Sequence, residues 1–225
     1  MKKIIAIILI VLAVEIQAQQ TLSVNQVLGD TSVFGGVKSE SGKSLKYEEI
    51  KGSPYFDTNF HQAKVADNYE NVPIRYNTYK DEIEFQKDGK IQVLPKDVIF
   101  SKIEILKPKT TLVLIDTNDS MSGYFFELIG GKNTLYKKIK TEFKDVVPAA
   151  NSYASEKPAI FRTNTPVYYI KTADGTFLKG LKNEKDALQS INGKSDELNT
   201  FFKSNKIKFN KEEDLIKFVN YLNTL

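Results

Sequence analysis

His61 is the one histidine of the chain and follows Asp57 by four residues. Imidazole is the group that most readily moves protons near neutral pH, and a carboxylate beside it would orient the ring in a Ser-His-Asp arrangement. No Gly-x-Ser-x-Gly elbow marks a nucleophile, however, and the surrounding GSPYFDTNFH reads as a loop, so His61 is expected to be an ordinary loop histidine. The chain has no Cys, which removes thiol nucleophiles, disulfides and thiolate metal sites. A single His likewise removes zinc held by several imidazoles.

Carboxylates offer a second chemistry. Glu82 and Glu84 alternate with Ile83 and Phe85, which places both on one face of a strand with Cβ atoms about 7 Å apart. That separation lies near what glycoside hydrolysis asks of its acid and base. The same alternation describes any strand with one face in water, and the solvated face is the expected reading. Arg75, Tyr76, Tyr79 and Asp81 crowd polar and aromatic groups into the same region.

Asp116, Asn118, Ser120 and Glu127 stand at positions 1, 3, 5 and 12 of a loop spaced like a calcium-wrapping EF-hand. The sixth position, which needs Gly for its sharp turn, is Met121, and strands flank the segment. A plain polar turn is therefore expected, since Asp, Asn, Ser and Gly also serve turn geometry alone. The run Tyr136-Lys137-Lys138-Ile139-Lys140 is the densest basic stretch, with Tyr136, Lys138 and Lys140 on one strand face. Its lysines are expected to guard a sheet edge; attraction of anionic glycans or headgroups is the alternative. Gly35-Gly36 and Gly130-Gly131 lack the residues that make a phosphate loop. No catalytic, cofactor-binding or metal-ligating residue is assigned, and no cofactor is expected.

The elements that would position these residues are mostly strands. Val24 to Leu28 and Val33-Phe34 are short apolar patches in a Gly-, Ser- and Lys-rich beginning. Val72, Ile74 and Tyr76, then Ile83 and Phe85, then Ile91 and Val93 alternate with polar residues, which is the period of a half-buried strand. Asp88-Gly89 suits the positive φ angles of a two-residue hairpin turn. Val98 to Leu106 and Thr110 to Ile115 follow, the second expected to be buried on both faces. Tyr124 to Ile129, Leu135 to Phe143, Ala159 to Thr163 and Val167 to Lys171 read as further strands, with Asp174-Gly175 turning the last into Phe177-Leu178. After Leu181 the apolar period becomes helical. Caps are expected at Asn183 and Ser195, a capping box at Asn210 and Glu213, and an apolar stripe at Leu215, Val219 and Leu222. Helices this short need a surface to dock on. The fold class expected is α+β, mainly β: an antiparallel β roll or open barrel over residues 19–181, finished by three short C-terminal helices that cap it over 182–225.

Of the 225 residues 41% are hydrophobic and 27% charged, with net charge +4, so the chain folds and is nearly charge-balanced. A protein built to grip a phosphate backbone carries a denser basic excess, and no nucleic-acid partner is expected. Met1-Lys2-Lys3 and the apolar run Ile4 to Val14 have the form of a signal peptide, expected to be cleaved after Ala18. No later segment has 18 consecutive apolar residues, so no transmembrane segment is expected after cleavage.

Several stretches taken together resemble a family of uncharacterised secreted proteins of Bacteroidetes-type bacteria: Tyr69 to Phe85, Tyr124 to Lys138 (YFFELIGGKNTLYKK), Val167 to Leu181 (VYYIKTADGTFLKGL) and Leu198 to Leu222. The resemblance implies a signal peptide and one compact domain, and it brings no activity and no site residue. Asp119-Ser120-Met121 is similar to the short O-glycosylation acceptor pattern of such secreted proteins, with Ser120 as acceptor. The expected function is a non-enzymatic binding or interaction module, secreted or periplasmic, with a protein or glycan partner in the envelope. A carboxylate-dependent glycan hydrolase and a structural envelope component are the alternatives. The motivation for binding is the supply of 11 Tyr and 14 Phe beside so little catalytic apparatus.

Overall fold

The computed structural model describes residues 35–40, 42–149, 151 and 153–225. The signal peptide with its cleavage point, and the patches at Val24 to Leu28 and Val33-Phe34, lie outside the described residues. In chain order the strands are β1 (Gly36–Lys38), β2 (Ser44–Lys46), β3 (His61–Lys64), β4 (Val72–Asn77), β5 (Glu82–Lys87), β6 (Lys90–Val93), β7 (Lys102–Ile105), β8 (Thr110–Ile115), β9 (Gly123–Ile129), β10 (Thr134–Lys138), β11 (Thr141–Lys144), β12 (Ile160–Thr163), β13 (Val167–Lys171) and β14 (Phe177–Lys179). The helices are α1 (Glu184–Ser190), α2 (Ser195–Ser204) and α3 (Glu212–Leu222).

Ten strands form one open antiparallel sheet in the order β14-β13-β10-β9-β8-β7-β3-β4-β5-β6. β1 with β2, and β11 with β12, make two small ribbons beside it. The fold is therefore mainly β and unclosed, with three short C-terminal helices, as the hydrophobic periods predict. None of the described helices is long and apolar enough to cross a membrane.

Strand alternation sorts the side chains into separate cores. Val72, Ile74, Tyr76, Ile83, Phe85, Ile103, Leu112, Tyr124 and Phe126 point into the main one. The helices cover the same sheet further along, where Leu135 and Ile170 meet Leu198, Phe201, Phe202, Phe209, Leu215 and Phe218. Glu212, at the first turn of α3, accepts from Lys137 Nζ at 2.8 Å and from the Tyr168 hydroxyl at 3.2 Å, which pins that helix to β10 and β13. Burial and the Glu212 charge push the Tyr168 phenol up to about 12. A third cluster joins Val37, Leu45, Tyr47 and Ile50 to Ala159 and Phe161.

Asp88 and Gly89 both have positive φ, at 50° and 73°, and Lys87 pairs with Lys90, so the expected two-residue turn forms. Other local expectations yield to tertiary bonds. Val98–Phe100 is a 3-10 turn because the Asp97 side chain accepts from the Ile99 N–H at 3.0 Å. The stretch Leu135 to Phe143 splits into β10 and β11: the Lys140 carbonyl accepts from the Asn164 N–H at 2.9 Å and the Thr141 N–H donates to the Thr78 carbonyl at 3.1 Å, drawing the chain into the second ribbon. In β8 only Leu112 is fully buried. The link after β13 runs over residues 172–176, closed by the Gly175 N–H on the Thr172 carbonyl at 2.8 Å, with Gly175 alone at positive φ. Asn183 caps α1, accepting from the Asp186 N–H at 2.9 Å. Ser195 instead becomes the first residue of α2, and the Asn210–Glu213 box is replaced by Asp214 accepting from the Lys208 N–H at 2.9 Å.

Candidate functional site

The polar residues of the β4–β5 hairpin lie on the outward face of the strands, opposite Ile74, Tyr76, Ile83 and Phe85. Around Glu84 and Asn77 that face is not solvated. Residues 54–56 run antiparallel beside β4, with the Phe56 N–H donating to the Tyr76 carbonyl at 3.0 Å and the Tyr79 N–H to the Pro54 carbonyl at 3.1 Å, and the Tyr55 ring carried by that segment lies over Arg75 on this face. Glu84 is consequently fully buried, which corrects the solvent-face expectation for this residue. Its charge is met by Arg75, directly across the ladder, with Nε and Nη2 at 2.8 and 2.7 Å from Oε2, while Asn77 Nδ2 donates to Oε1 at 3.0 Å. Both carboxylate oxygens are thus occupied. Glu82 is only half-buried, and that burial raises its carboxyl above the usual range.

Arg75 is held from the other side by aromatics. Its guanidinium carbon lies 3.8 Å from the Tyr55 ring centroid and 4.5 Å from that of Phe60, and Nη2 donates to the Tyr55 hydroxyl at 2.7 Å. A planar guanidinium can stack and fork in this way where an ammonium cannot. Nη1 has no hydrogen-bond partner among the described residues. Burial, followed by the Glu84 charge, pushes the Tyr55 phenol far up, so Tyr55 is a neutral hydroxyl. Above this floor opens a cleft of about 360 Å³ lined by Tyr47, Glu48, Ser53, Tyr55, Thr58 and Arg75, among others. Tyr47 is buried, and its hydroxyl has no partner among the described residues. The cleft therefore combines aromatic walls, hydroxyls, the exposed Glu48 carboxylate and a guanidinium whose charge is already balanced.

The cleft owes its shape to an irregular strand. Tyr55 pairs with Asn77 and His61 pairs with Ile74. Counting back from the first pair would set Thr58 opposite Ile74, so the segment carries three extra residues there, an enlarged bulge that throws Asp57 to Phe60 outward. Within it Asp57 Oδ2 lies 2.9 Å from His61 Nε2. The Asn59 N–H, and next the His61 ring, lower the Asp57 carboxyl. Among the described residues His61 bonds to Asp57 alone, and no serine approaches the ring to complete a triad.

The calcium-like spacing comes apart in three dimensions. Asp116 accepts from the Asn118 N–H at 2.9 Å and from Ser122 Oγ at 2.8 Å, a self-contained polar turn. Asp119 Oδ2 faces sideways to the Tyr169 hydroxyl and Lys179 Nζ, both at 2.7 Å. Burial alone would raise Asp119; hydrogen bonds from Lys179, Thr117, Tyr169 and the Met121 N–H outweigh it and hold the carboxyl well below its usual range. Glu127 lies four residues along β9 from Gly123, about 13 Å up the strand at the usual rise. Ser120 is exposed at the loop tip.

The basic stretch is likewise dispersed. β10 lies between β9 and β13, so its lysines guard no edge, and the expected patch of Tyr136, Lys138 and Lys140 does not exist as a surface. Tyr136 and Lys138 are buried, and only Lys140 is exposed. Lys138 Nζ donates to Asp81 Oδ1 at 2.6 Å and to the Tyr124 carbonyl at 2.9 Å. Burial lowers the Lys138 ammonium and Asp81 opposes that shift.

Tyr47, Glu48 and Tyr55 carried no signal in the sequence, and the pairing of Lys138 with Asp81, each singled out there separately, was not visible either. One signal was available: Arg75 is one of two arginines in a chain of 32 basic residues. An arginine amid strand alternation, where lysine is otherwise used, marks a place that needs a planar fork. The abundant aromatics are largely consumed internally; Phe56 and Tyr153 are the aromatic residues found substantially exposed among those described.

Comparison with known proteins found no matching family model, no matching curated protein and no matching solved structure.

Proposed function

We propose that the protein is an exported, non-enzymatic binding module whose ligand site is the cleft over Arg75, and that the ligand is a neutral, hydroxyl-rich molecule such as a glycan unit. Export rests on the form of residues 1–18 and on the segmental resemblance to secreted proteins. The observation that carries the binding reading is the buried Arg75–Glu84 pair beneath an aromatic-walled cleft. A balanced guanidinium repels neither sign strongly, and its Nη1, without a hydrogen-bond partner among the described residues, supplies with Glu48, Ser53 and Thr58 donors and acceptors suited to hydroxyl groups. The volume is within the usual range for small-ligand sites. Against a hydrolase, Glu84 has both oxygens engaged and no exposure, so it reaches no glycosidic oxygen.

The test is a screen of the purified mature protein against a panel of neutral and acidic oligosaccharides, followed by titration calorimetry on any hit. Glu48→Gln combined with Thr58→Val, both at exposed positions, is expected to weaken binding about tenfold with melting temperature unchanged. Failure of every carbohydrate to bind, equal binding by that variant, or turnover of a bound glycan would overturn the proposal.

A further inference from the structure

Among the described residues the sheet has a free edge at β14, and its open side is defined by hydrogen-bond alternation. The Gly180 N–H donates to the Tyr168 carbonyl and the Thr172 N–H to the Thr176 carbonyl, both at 2.9 Å. In the register between them, Leu178 opposite Ile170 takes the next ladder bonds. The backbone N–H and C=O groups of Phe177 and Lys179 therefore point away from β13, toward the open edge. The Lys179 side chain does not block this edge, because its ammonium is turned to Asp119 on the sheet face away from the helices.

Beside the same edge, on the helix side, lies an apolar pocket of about 250 Å³ whose lining includes Tyr168, Ile170, Leu178, Leu181, Phe209 and Leu215. Through Leu181 and Phe209 it runs on into a wider groove between segments 181–185 and 207–210. Lys182, Lys185 and Lys208 line that groove, all exposed and without an ion pair among the described residues, against Glu184 as its one acidic residue. An unpaired strand edge, an apolar pocket on one side of it and a basic rim thus coincide.

We infer that β14 receives an extended acidic segment of a partner protein as an additional strand. Main-chain bonds to Phe177 and Lys179 would give affinity. The two-residue side-chain period sends alternate apolar residues of the paired stretch into the Tyr168–Leu215 pocket, while acidic residues flanking that stretch, where the partner chain runs past the end of β14, meet Lys182, Lys185 and Lys208. This site is separate from the Arg75 cleft, and each stands or falls without the other.

The probe is a fluorescein-labelled peptide Asp-Asp-Asp-Val-Thr-Phe-Thr-Val-Asp-Asp-Asp, with Lys-Lys-Lys-Val-Thr-Phe-Thr-Val-Lys-Lys-Lys as its charge-reversed control, titrated with the mature protein by fluorescence anisotropy. The acidic peptide is expected to bind at least about tenfold more tightly than the basic one, and less tightly as salt rises. Lys179→Pro removes an edge donor that the β13 ladder does not use, while Lys179→Met loses the same ammonium but keeps the N–H. The proline variant is expected to lose at least about tenfold in affinity relative to the methionine variant. To separate loss of the edge donor from a perturbed fold, amide exchange in the wild-type protein is measured in parallel: the Phe177 and Lys179 N–H groups gain protection when the acidic peptide is present. Equal binding of the two peptides, no binding of either, or unchanged exchange at Phe177 and Lys179 overturns the inference.

Discussion

Arg75 and Glu84 face each other across the β4–β5 ladder, with Arg75 Nη2 2.7 Å from Glu84 Oε2, on a strand face that the alternation pattern alone would assign to water. The pair is both the floor of the proposed ligand cleft and a buried charge that the fold must keep compensated.

Removing one partner should be far worse than removing both. Arg75→Met leaves Glu84 buried and unpaired, and is expected to cost about 3–5 kcal/mol. Arg75→Met combined with Glu84→Met should cost clearly less than the single change, because a buried pair replaced by apolar groups is often close to neutral. Urea denaturation of the single and double variants checks this. A loss of under about 1 kcal/mol for Arg75→Met would show that Glu84 is not dependent on the guanidinium.

Gly123 is required by the carboxylate opposite. It has φ of 138°, and a Cβ there would overlap the Asp81 carboxylate that receives Lys138 Nζ. The Asp81 carboxylate is tied by the Tyr76 hydroxyl, Lys96 and Lys138, so it retreats only by giving up those bonds. Gly123→Ala is expected to destabilise the protein by about 3 kcal/mol or more, through backbone strain and a displaced ion pair. Thermal unfolding by circular dichroism reads this directly.

Asp119 makes stability depend on pH at the acid end. Its folded carboxyl is held below the usual carboxylate value, so its stabilising contribution is complete above that value and is lost as pH falls through the folded pKa. Between about pH 6 and about pH 2 the wild-type melting temperature should therefore fall more steeply than that of Asp119→Asn. Identical slopes would mean that the Tyr169 and Lys179 bonds do not favour the ionised form.

The helical cap depends on one side chain in particular. Phe218 is fully buried and its ring centroid lies within 6.1 Å of those of Phe201, Phe202 and Phe209. Phe218→Ala is expected to cost about 3–5 kcal/mol, checked by chemical denaturation. If it merely frees the helices, the tryptophan-free β sheet will keep its far-ultraviolet signal while segment 182–225 becomes sensitive to protease.

Much of this architecture was legible in the chain. The two-residue period of Val72 to Phe85, the Asp88-Gly89 turn, the Asn183 cap and the helical stripes after Leu181 are local signals, set by side-chain sterics and by backbone groups a few residues apart. They are enough to specify an antiparallel, mainly β fold with a helical end. What they do not carry is which polar face gets covered. Glu84 and Lys138 have the sequence appearance of solvated strand residues; they are buried because Tyr55, brought alongside β4, lays its ring over one face at Arg75 and because β10 ends up inside the sheet, and those are contacts between residues far apart in the chain. The same limit applies to the calcium-like spacing, where an extended strand carries Glu127 away from the loop that a helix would have kept it near. Order along the sheet, and with it the free edge at β14 and the cleft over Arg75, is decided by the competition among many possible strand pairings, which depends on the whole core and not on any one segment of it.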